Sequence, residues 1–328
     1  VLAESKEDIR PPLGLFDWDG DRQSEIGLFN SSTGSALVLS STSQASSQVD
    51  LAAVRGDIPL HTDYDGDGVT DLVIYRPNTQ TWFVYIMKNN GLIESNETIK
   101  FGESSEQVPF IGDYDGDGKA DLILFTDGDV PSFYVRTTSV PAEDGSYVHR
   151  VGNTYDDDDK IPFVGDFFGN GTLDLGIFSI DRYSSYVIRS INESRDLYRN
   201  IEYQADDILL VGDFDGDGVS DLGFRRPSEH LWILNSSIRE RSGNQDQIRI
   251  TFGLDADDIP IIADYDGDGI DDIAVRRSSE GMQFILNSSG QPGPSGDGIQ
   301  RIPFGDETNL IPIAAPISIK MKMLAEQQ

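Results

Sequence analysis

The sequence lacks cysteine, long apolar runs and helical periodicity. Without cysteine there are no disulfide bonds, thiolate nucleophiles or cysteine-based zinc sites. No run reaches the roughly 18 apolar residues that a membrane helix requires. No segment shows helical periodicity, so the chain is predicted to be all-β. Hydrophobic residues still make up 38% of the 328 residues, enough to predict a folded core.

Positive charge is also scarce. The chain has 25 Lys and Arg against 57 Asp and Glu, a formal net charge of −32. Such a surface repels phosphate, which argues against nucleic acid and anionic membranes as partners. A solubilising acidic surface is one explanation of the excess charge. The positions of the acids favour a more specific one, because they recur at fixed places.

One acidic nonapeptide occurs six times. It reads DWDGDRQSE from Asp17, DYDGDGVTD from Asp63, DYDGDGKAD from Asp113, DFFGNGTLD from Asp166, DFDGDGVSD from Asp213 and DYDGDGIDD from Asp264. The intervals between these starts run from 46 to 53 residues. Each nonapeptide lies between an apolar run such as IPFVGD and an alternating run such as DLVIYRP, and two further β-rich runs follow.

A repeat of this size with four short strands is typical of a propeller blade. We therefore predict one all-β domain over residues 1–328, a β-propeller of four-stranded blades. The repeats begin near residues 11, 58, 108, 161, 208 and 259. A solenoid is the alternative architecture, although its coils are usually shorter.

Residues 310–319, LIPIAAPISI, match the first strand of a seventh repeat, with Pro316 where the loop's first Asp would stand. No seventh metal loop follows. Residues 310–328 are therefore interpreted as a partial repeat, or closing strand, and a tail. Six blades are favoured, and seven would form if the fragment completed a blade with N-terminal residues. Pairing of this strand with another chain would give a homo-oligomer.

The acidic loops suit calcium, a hard cation that takes six to eight oxygen ligands. In the second loop Asp63, Asp65 and Asp67 occupy positions 1, 3 and 5, and Asp71 at position 9 closes the cage. Glycines between the acids allow the backbone to turn. Position 7 varies among the loops, as expected if it offers only its backbone carbonyl. An EF-hand is rejected because position 12 is apolar, as at Ile74, Leu124 and Phe224.

These loops and their flanking strands resemble the FG-GAP/VCBS repeat family, which includes the propeller heads of integrin α subunits and certain fungal and bacterial propeller lectins. The resemblance covers residues 9–316. It implies that each loop binds Ca²⁺ through positions 1, 3, 5, 7 and 9. The implied ligands in the five regular loops are Asp17, Asp19, Asp21, Gln23 and Glu25; Asp63, Asp65, Asp67, Val69 and Asp71; Asp113, Asp115, Asp117, Lys119 and Asp121; Asp213, Asp215, Asp217, Val219 and Asp221; and Asp264, Asp266, Asp268, Ile270 and Asp272.

The fourth loop departs from the family pattern. Phe168 stands at position 3, and the implied ligands reduce to Asp166, Asn170, Thr172 and Asp174. We therefore expect five well-formed calcium sites and leave open the occupancy of a sixth at 166–174. Metal should also stabilise the fold, because clustered carboxylates repel one another without a cation.

The expected function is an extracellular or cell-surface calcium-binding scaffold for adhesion or for a protein or glycan ligand. Short exposed loops suit the millimolar calcium found outside cells. A lectin and a structural subunit of a surface assembly or filament are the alternatives. Catalysis is not expected, because His61, His149 and His230 lie in unrelated contexts and no hydrolase motif is present. A polysaccharide lyase is the remaining enzymatic alternative.

Overall fold

The computed structural model describes residues 16–89, 91–128, 130–139, 146–150, 160–179, 185–189, 197–200, 203–235, 247–255, 257–290, 297–307 and 309–326. Over these ranges the chain forms 24 strands in six four-stranded sheets, two short 3₁₀ turns and one α-helix. The 3₁₀ turns are Pro77–Thr79 and Pro227–Glu229. None of the described helices is long and apolar enough to span a membrane.

Neighbouring strands within each sheet are antiparallel, and all except β24 follow the chain order within their sheet. Their bounds are β1 Ile26–Asn30, β2 Ser35–Leu39, β3 Ser46–Asp50, β4 Ile58–Thr62, β5 Asp71–Arg76, β6 Thr81–Met87, β7 Ile93–Lys100, β8 Val108–Gly112, β9 Asp121–Thr126, β10 Ser132–Arg136, β11 Ser146–Arg150, β12 Lys160–Gly165, β13 Asp174–Ser179, β14 Ser185–Arg189, β15 Leu197–Asn200, β16 Ile208–Gly212, β17 Asp221–Arg226, β18 Leu231–Asn235, β19 Gln247–Thr251, β20 Ile259–Ala263, β21 Asp272–Arg277, β22 Met282–Leu286, β23 Ile299–Pro303 and β24 Ile311–Pro312.

Five sheets consist of four consecutive strands each, β4–β7, β8–β11, β12–β15, β16–β19 and β20–β23. They are the blades of a β-propeller, so the predicted all-β class and four-stranded blade are confirmed. The first strands contact one another between blades, as β4 does β8 and β16 does β20. These five blades alone do not confirm the predicted number of six, or the alternative of seven.

The remaining sheet is composite, with the strand order β24-β1-β2-β3. Ile311 pairs with Phe29 and Pro312 with Leu28, and the Ile313 N–H donates to the Gly27 carbonyl at 2.9 Å. The fragment at 310–319 thus contributes only a two-residue strand, which lies on the inner edge of the N-terminal sheet. Pairing of this strand with a second chain, the predicted route to a homo-oligomer, stays a prediction.

The core lies between the blades. The second strand of a blade is covered on both faces by its neighbours, so β5 is buried over its first five residues and β17 over all six. The outer strand is solvated, and β7 has seven exposed positions among its eight. Burial on both faces explains why second strands read as nearly continuous apolar runs.

The tryptophans of the third strands belong to this core. Trp82 and Trp232 are fully buried. Each indole Nε1–H donates to a backbone carbonyl at the end of the same blade's outer strand, that of Phe101 or Phe252, at 3.0 Å. They therefore fix the outer strand to the third strand and present no ring to a ligand.

Helix α1, Ile317–Glu326, contradicts the expectation that the chain has no helix. It follows Pro316, whose carbonyl accepts the N–H groups of Ile319 and Lys320. The helix contacts the inner strands β4, β8 and β24. Leu324 is buried against them, and the Lys320 ammonium donates to the Pro59 carbonyl at 3.2 Å. Burial lowers the pKa of Lys320 to about 7. The helix could not be predicted from residues 310–319, because their apolar sequence continues the strand pattern of the repeat.

Leu324→Ala should reduce the free energy of unfolding by about 2–5 kcal/mol, because it opens a cavity between α1 and the inner strands. Lys322→Ala is the matched control, since Lys322 lies on the exposed side of the same helix. It should change stability by no more than about 0.5 kcal/mol. Urea denaturation measures both. Equal losses in the two variants would contradict the docking of α1.

Candidate metal loops

The acidic loops all lie on one face of the propeller. Five of them, 63–71, 113–121, 166–174, 213–221 and 264–272, connect the first strand of a blade to its second strand. The loop at 17–25 leads into β1 in the same way. Each last loop residue either begins the second strand or directly precedes it, so strand pairing fixes where that carboxylate stands.

The Asp at position 1 organises each turn. In the second loop Asp63 Oδ1 accepts the Gly66 N–H at 2.8 Å, and Oδ2 accepts the Gly68 N–H at 2.9 Å. Both glycines have positive φ, 82° and 89°, which explains the residue type at these positions. The first loop reaches the same geometry with Arg22, whose φ is 69° and whose N–H donates to Asp17 Oδ2. A non-glycine residue is uncommon in this conformation.

The acid at position 9 ties the loop to the rest of its blade. Asp71 is fully buried, and its Oδ2 accepts the Tyr64 N–H at 2.9 Å. Its Oδ1 accepts the Met87 N–H at the end of the third strand, at 2.7 Å. Asp121 and Asp272 repeat both contacts in their blades. In these three loops the position-9 carboxylate is thus held by backbone from two elements.

Positions 1, 3 and 9 converge. In five loops one carboxylate oxygen from each of these positions lies within 4.8 Å of the others. These triads are Asp17, Asp19 and Glu25; Asp63, Asp65 and Asp71; Asp113, Asp115 and Asp121; Asp213, Asp215 and Asp221; and Asp264, Asp266 and Asp272. The fourth loop, with Phe168 at position 3, forms no such group among the residues the structure describes.

Positions 5 and 7 are not part of the triads. The position-5 carboxylate accepts the position-7 N–H, as Asp67 Oδ1 does from Val69 at 2.9 Å. The same bond recurs in each loop, with Asn170 replacing Asp in the fourth. Side chains at position 7 range from buried, as in Val219, to exposed, as in Lys119. The implied ligand roles of positions 5 and 7 therefore remain predictions.

Burial raises the pKa of the position-9 acids. Desolvation is the largest cause, and neighbouring loop carboxylates add to it. The pKa rises to about 7 for Glu25, Asp71, Asp121 and Asp272, and to about 8 for Asp221. In the five loops with a triad, burial also raises the pKa of the position-1 Asp. These loops hold negative charge at a cost that a bound cation would offset.

Some buried carboxylate oxygens have no hydrogen-bond donor. They are Asp19 Oδ1 and Asp266 Oδ1 at position 3, and Asp221 Oδ1 at position 9. Buried polar atoms are normally hydrogen-bonded, so an orphaned oxygen calls for another partner. The donor set of each triad is all oxygen, which suits a hard cation such as Ca²⁺.

A polar turn after the third strand forms a second layer around three loops. Ser139 Oγ donates to Asp115 Oδ2 at 2.6 Å, Ser40 Oγ to Asp19 Oδ2 at 2.9 Å, and Asn287 Nδ2 to Asp266 Oδ2 at 2.9 Å. The spacing of the acids does not point to these residues. Their signal is a Ser, Thr or Asn cluster at the same place in the repeat, as in LSSTS, RTTSV and LNSSG.

Residues 63–124 match the family profile described as the FG-GAP-like repeat. This match confirms the resemblance for the second unit and the start of the third. No curated protein matches the chain. Among solved structures, a functionally unknown protein from Desulfotomaculum acetoxidans DSM 771 is similar at 14% identity and a TM-score of 0.43, over 80% of this chain and 75% of that one.

In the presence of a chelator, the melting temperature should rise as the pH falls from about 8 to about 6. The position-9 acids have a folded-state pKa of about 7 to 8, above the value of about 4 for an unfolded carboxyl group. The folded state therefore binds protons more tightly, and stability is lost as the pH rises through the folded pKa. Thermal denaturation in EDTA measures the change.

Asp221→Asn is the control for this pH dependence, because it removes one of the titrating groups. The variant should show a smaller difference between the two pH values. A lower net charge at low pH also reduces repulsion across the whole chain. If that were the cause, the melting temperature of the variant would differ between the two pH values by as much as that of the wild type. An unaltered difference would contradict the assignment to the loops.

Proposed function

We propose that this protein, a β-propeller with an FG-GAP-like repeat at residues 63–124, is an extracellular calcium-binding scaffold for adhesion or ligand binding. The observation that carries the proposal is the convergence of three carboxylates in five equivalent loops. Isolated acidic groups are common on surfaces. Five acidic groups that occupy the same loop positions, lie on the same turn and include buried oxygens support a common ligand.

Calcium fits these loops better than other biological cations. The triads contain no histidine, and the chain has no cysteine, so zinc and copper lack their preferred ligands. Calcium accepts a flexible shell of six to eight oxygens at 2.3–2.6 Å, whereas Mg²⁺ demands a smaller octahedral cage. When bound, the ion would supply positive charge to Asp or Glu at positions 1, 3 and 9. These residues would hold it, and the backbone of the loop would complete the shell.

We infer six blades in a closed ring. The Ser24 N–H of the first loop donates to the Asp264 carbonyl of the last loop at 2.7 Å. The pairing of Ile311 with Phe29 joins the two ends of the chain at the composite sheet. Both contacts support a ring that closes after six units, with the composite sheet as its sixth blade.

A binding role agrees with the rest of the molecule. Rigid loops on one face can display a partner surface, and the net charge of −32 favours a cationic or neutral partner over nucleic acid and anionic membranes. His61 on β4, His149 on β11 and His230 after β17 belong to three different blades. We therefore propose binding rather than catalysis, and an extracellular location, where calcium is abundant enough for short loops.

Wild-type protein should bind five Ca²⁺ per chain, and Asp221→Asn should bind four. Asp221 supplies a fully buried, donor-free oxygen to the fifth loop. Without its charge the site should lose most of its affinity, because calcium binding depends on ligand charge. Isothermal titration calorimetry gives the stoichiometry. EDTA should lower the melting temperature of the wild type, because a ligand of the folded state stabilises it.

Asp174→Asn is the matched control, since Asp174 occupies position 9 of the loop without a triad. Its Oδ2 accepts the Phe167 N–H at 2.7 Å, so the variant also tests a structural role. Stability should fall while the number of bound ions stays at five. An equal loss of an ion in both variants, or a wild type that binds no calcium, would refute the proposal.

Carbohydrate binding is the second candidate function, and one cleft between the blades β4–β7 and β8–β11 favours it. The cleft has a volume of about 540 Å³. Its polar lining includes Tyr64, Asn96, Glu97, Lys119 and Arg136. Arg136 donates to the Lys100 carbonyl at 3.0 Å, which links the two blades. Polar groups of both signs in a concave site suit a polyhydroxylated ligand.

A glycan array should give calcium-dependent binding that Arg136→Ala abolishes, because the variant removes a donor from the cleft. Arg249→Ala is the matched control, since Arg249 lies on the outer strand β19 away from the cleft. It should bind as the wild type does. An array without positive glycans, or equal losses in both variants, would reject the lectin function.

A further inference from the structure

Neighbouring acidic loops are joined by backbone hydrogen bonds. In five joints the N–H at position 8 of one loop donates to the position-1 carbonyl of the preceding loop at 2.7–2.8 Å. The pairs are Thr70 to Asp17, Leu173 to Asp113, Ser220 to Asp166, Asp271 to Asp213 and Ser24 to Asp264. The last pair returns from the first loop to the sixth, so the loops form a circle.

One joint differs from the others. Between the second and third loops the Ala120 N–H reaches the Tyr64 carbonyl at position 2, over 3.3 Å. Two other joints carry a second bond in the opposite direction. Ser220 Oγ accepts the Asp166 N–H at 2.9 Å, and Asp271 Oδ2 accepts the Asp213 N–H at 2.8 Å. The circle therefore has strong joints around loops four, five and six and a weak joint between loops two and three.

Side chains pack across the same joints. A Cβ atom on Gly216 would lie 2.8 Å from Cγ1 of Ile270, and one on Gly267 would lie 3.0 Å from Cγ of Gln23. The position-4 glycine of one loop thus lies directly against the position-7 side chain of the next. A close approach also occurs between the second and third loops, where a Cβ atom on Gly66 would lie 2.6 Å from the Gly118 carbonyl oxygen, so the joints differ in their hydrogen bonds and not in their packing.

The position-1 residue links ion binding to these joints. Its carboxylate belongs to the triad, and its carbonyl accepts the bond from the next loop, as Asp264 and Asp213 do. The donor at position 8 directly precedes the position-9 acid of the next triad. An ion that orders position 1 in one loop will therefore restrict position 9 in its neighbour, and the neighbour then loses less entropy on binding its own ion.

We propose that the five acidic triads bind calcium as one coupled array, whose coupling runs through the loop-to-loop hydrogen bonds and is weakest between the second and third loops. This inference rests on the proposed calcium-binding function. The fourth loop has no triad but takes part in two joints through Asp166 and Leu173. Its Thr172 hydroxyl donates to Asn170 Oδ1 at 2.6 Å, which supports the turn internally. It acts as a structural link in the circle.

The experiment measures ion binding at the first loop alone. Trp18 stands at position 2 of that loop, and its N–H bonds to Glu25. Tb³⁺ takes oxygen ligands as Ca²⁺ does, and luminescence excited through tryptophan would report binding beside Trp18. Trp82 and Trp232 lie in the cores of other blades, near Phe101 and Phe252. Trp18→Phe should abolish the signal and so assign it to the first loop.

Three equivalent position-3 variants then probe the circle. Asp266→Asn affects the adjacent sixth loop. Asp215→Asn and Asp115→Asn affect the fifth and third loops, which are both two units away from the first. They remove the same charge at the same separation along the circle. The short path from Asp115 crosses the weak joint, and its long path crosses the fourth loop, which has no triad. The short path from Asp215 crosses neither.

Asp266→Asn should weaken Tb³⁺ binding at the first loop by about fivefold or more, the lower range of measured couplings. Asp215→Asn should weaken it to a smaller extent, and Asp115→Asn should leave it within twofold of wild type. Equal effects of Asp215→Asn and Asp115→Asn, or no effect of Asp266→Asn, would overturn the coupled array while leaving calcium binding intact. A wild type whose signal is absent, or is not displaced by Ca²⁺, would overturn both proposals.

Discussion

The structure of the acidic face depends on one residue per loop, the aspartate at position 1. Its carboxylate accepts the N–H groups that form the turn, as Asp63 does from Gly66 and Gly68. The same carboxylate belongs to an acidic triad, and the backbone carbonyl of this residue receives the next loop in five of the six joints. The side chain and the peptide group of this one residue thus take part in the turn, in the charge cluster and in the contact between blades. A substitution there would disturb the turn in every loop, and in four loops it would disturb the charge cluster and the blade contact as well.

Much of the fold could be predicted because the repeat marks its own elements. The nonapeptides predict the turn between the first and second strands, and the apolar residues on either side predict the strands themselves. The composite sheet and helix α1 could not be read in the same way. The apolar residues around Ile311 and Ile317 continue the strand pattern of the repeat, and only the presence of the inner strands β4 and β8 decides that the second half forms a helix. Tertiary contacts override local pattern at this point.

The candidate site was predictable in composition more than in geometry. The family resemblance implied ligands at positions 1, 3, 5, 7 and 9, and the structure brings together the carboxylates of positions 1, 3 and 9. The position-5 carboxylates accept a backbone N–H two residues later, an alternative that a list of ligands does not reveal. Ser139 and Asn287 were missed for another reason. They lie far from their loops along the chain, and strand pairing alone brings them near.

The pairing of β24 with β1 also sets the order in which the protein can mature during translation. The N-terminal sheet leaves the ribosome first, but its inner strand follows every other strand in the chain. Throughout synthesis β1 therefore keeps an open edge, the kind of surface that invites wrong partners. The other blades can assemble as they emerge, since domains and their parts form in order of synthesis. The first sheet therefore lacks its fourth strand until the polypeptide reaches Ile311.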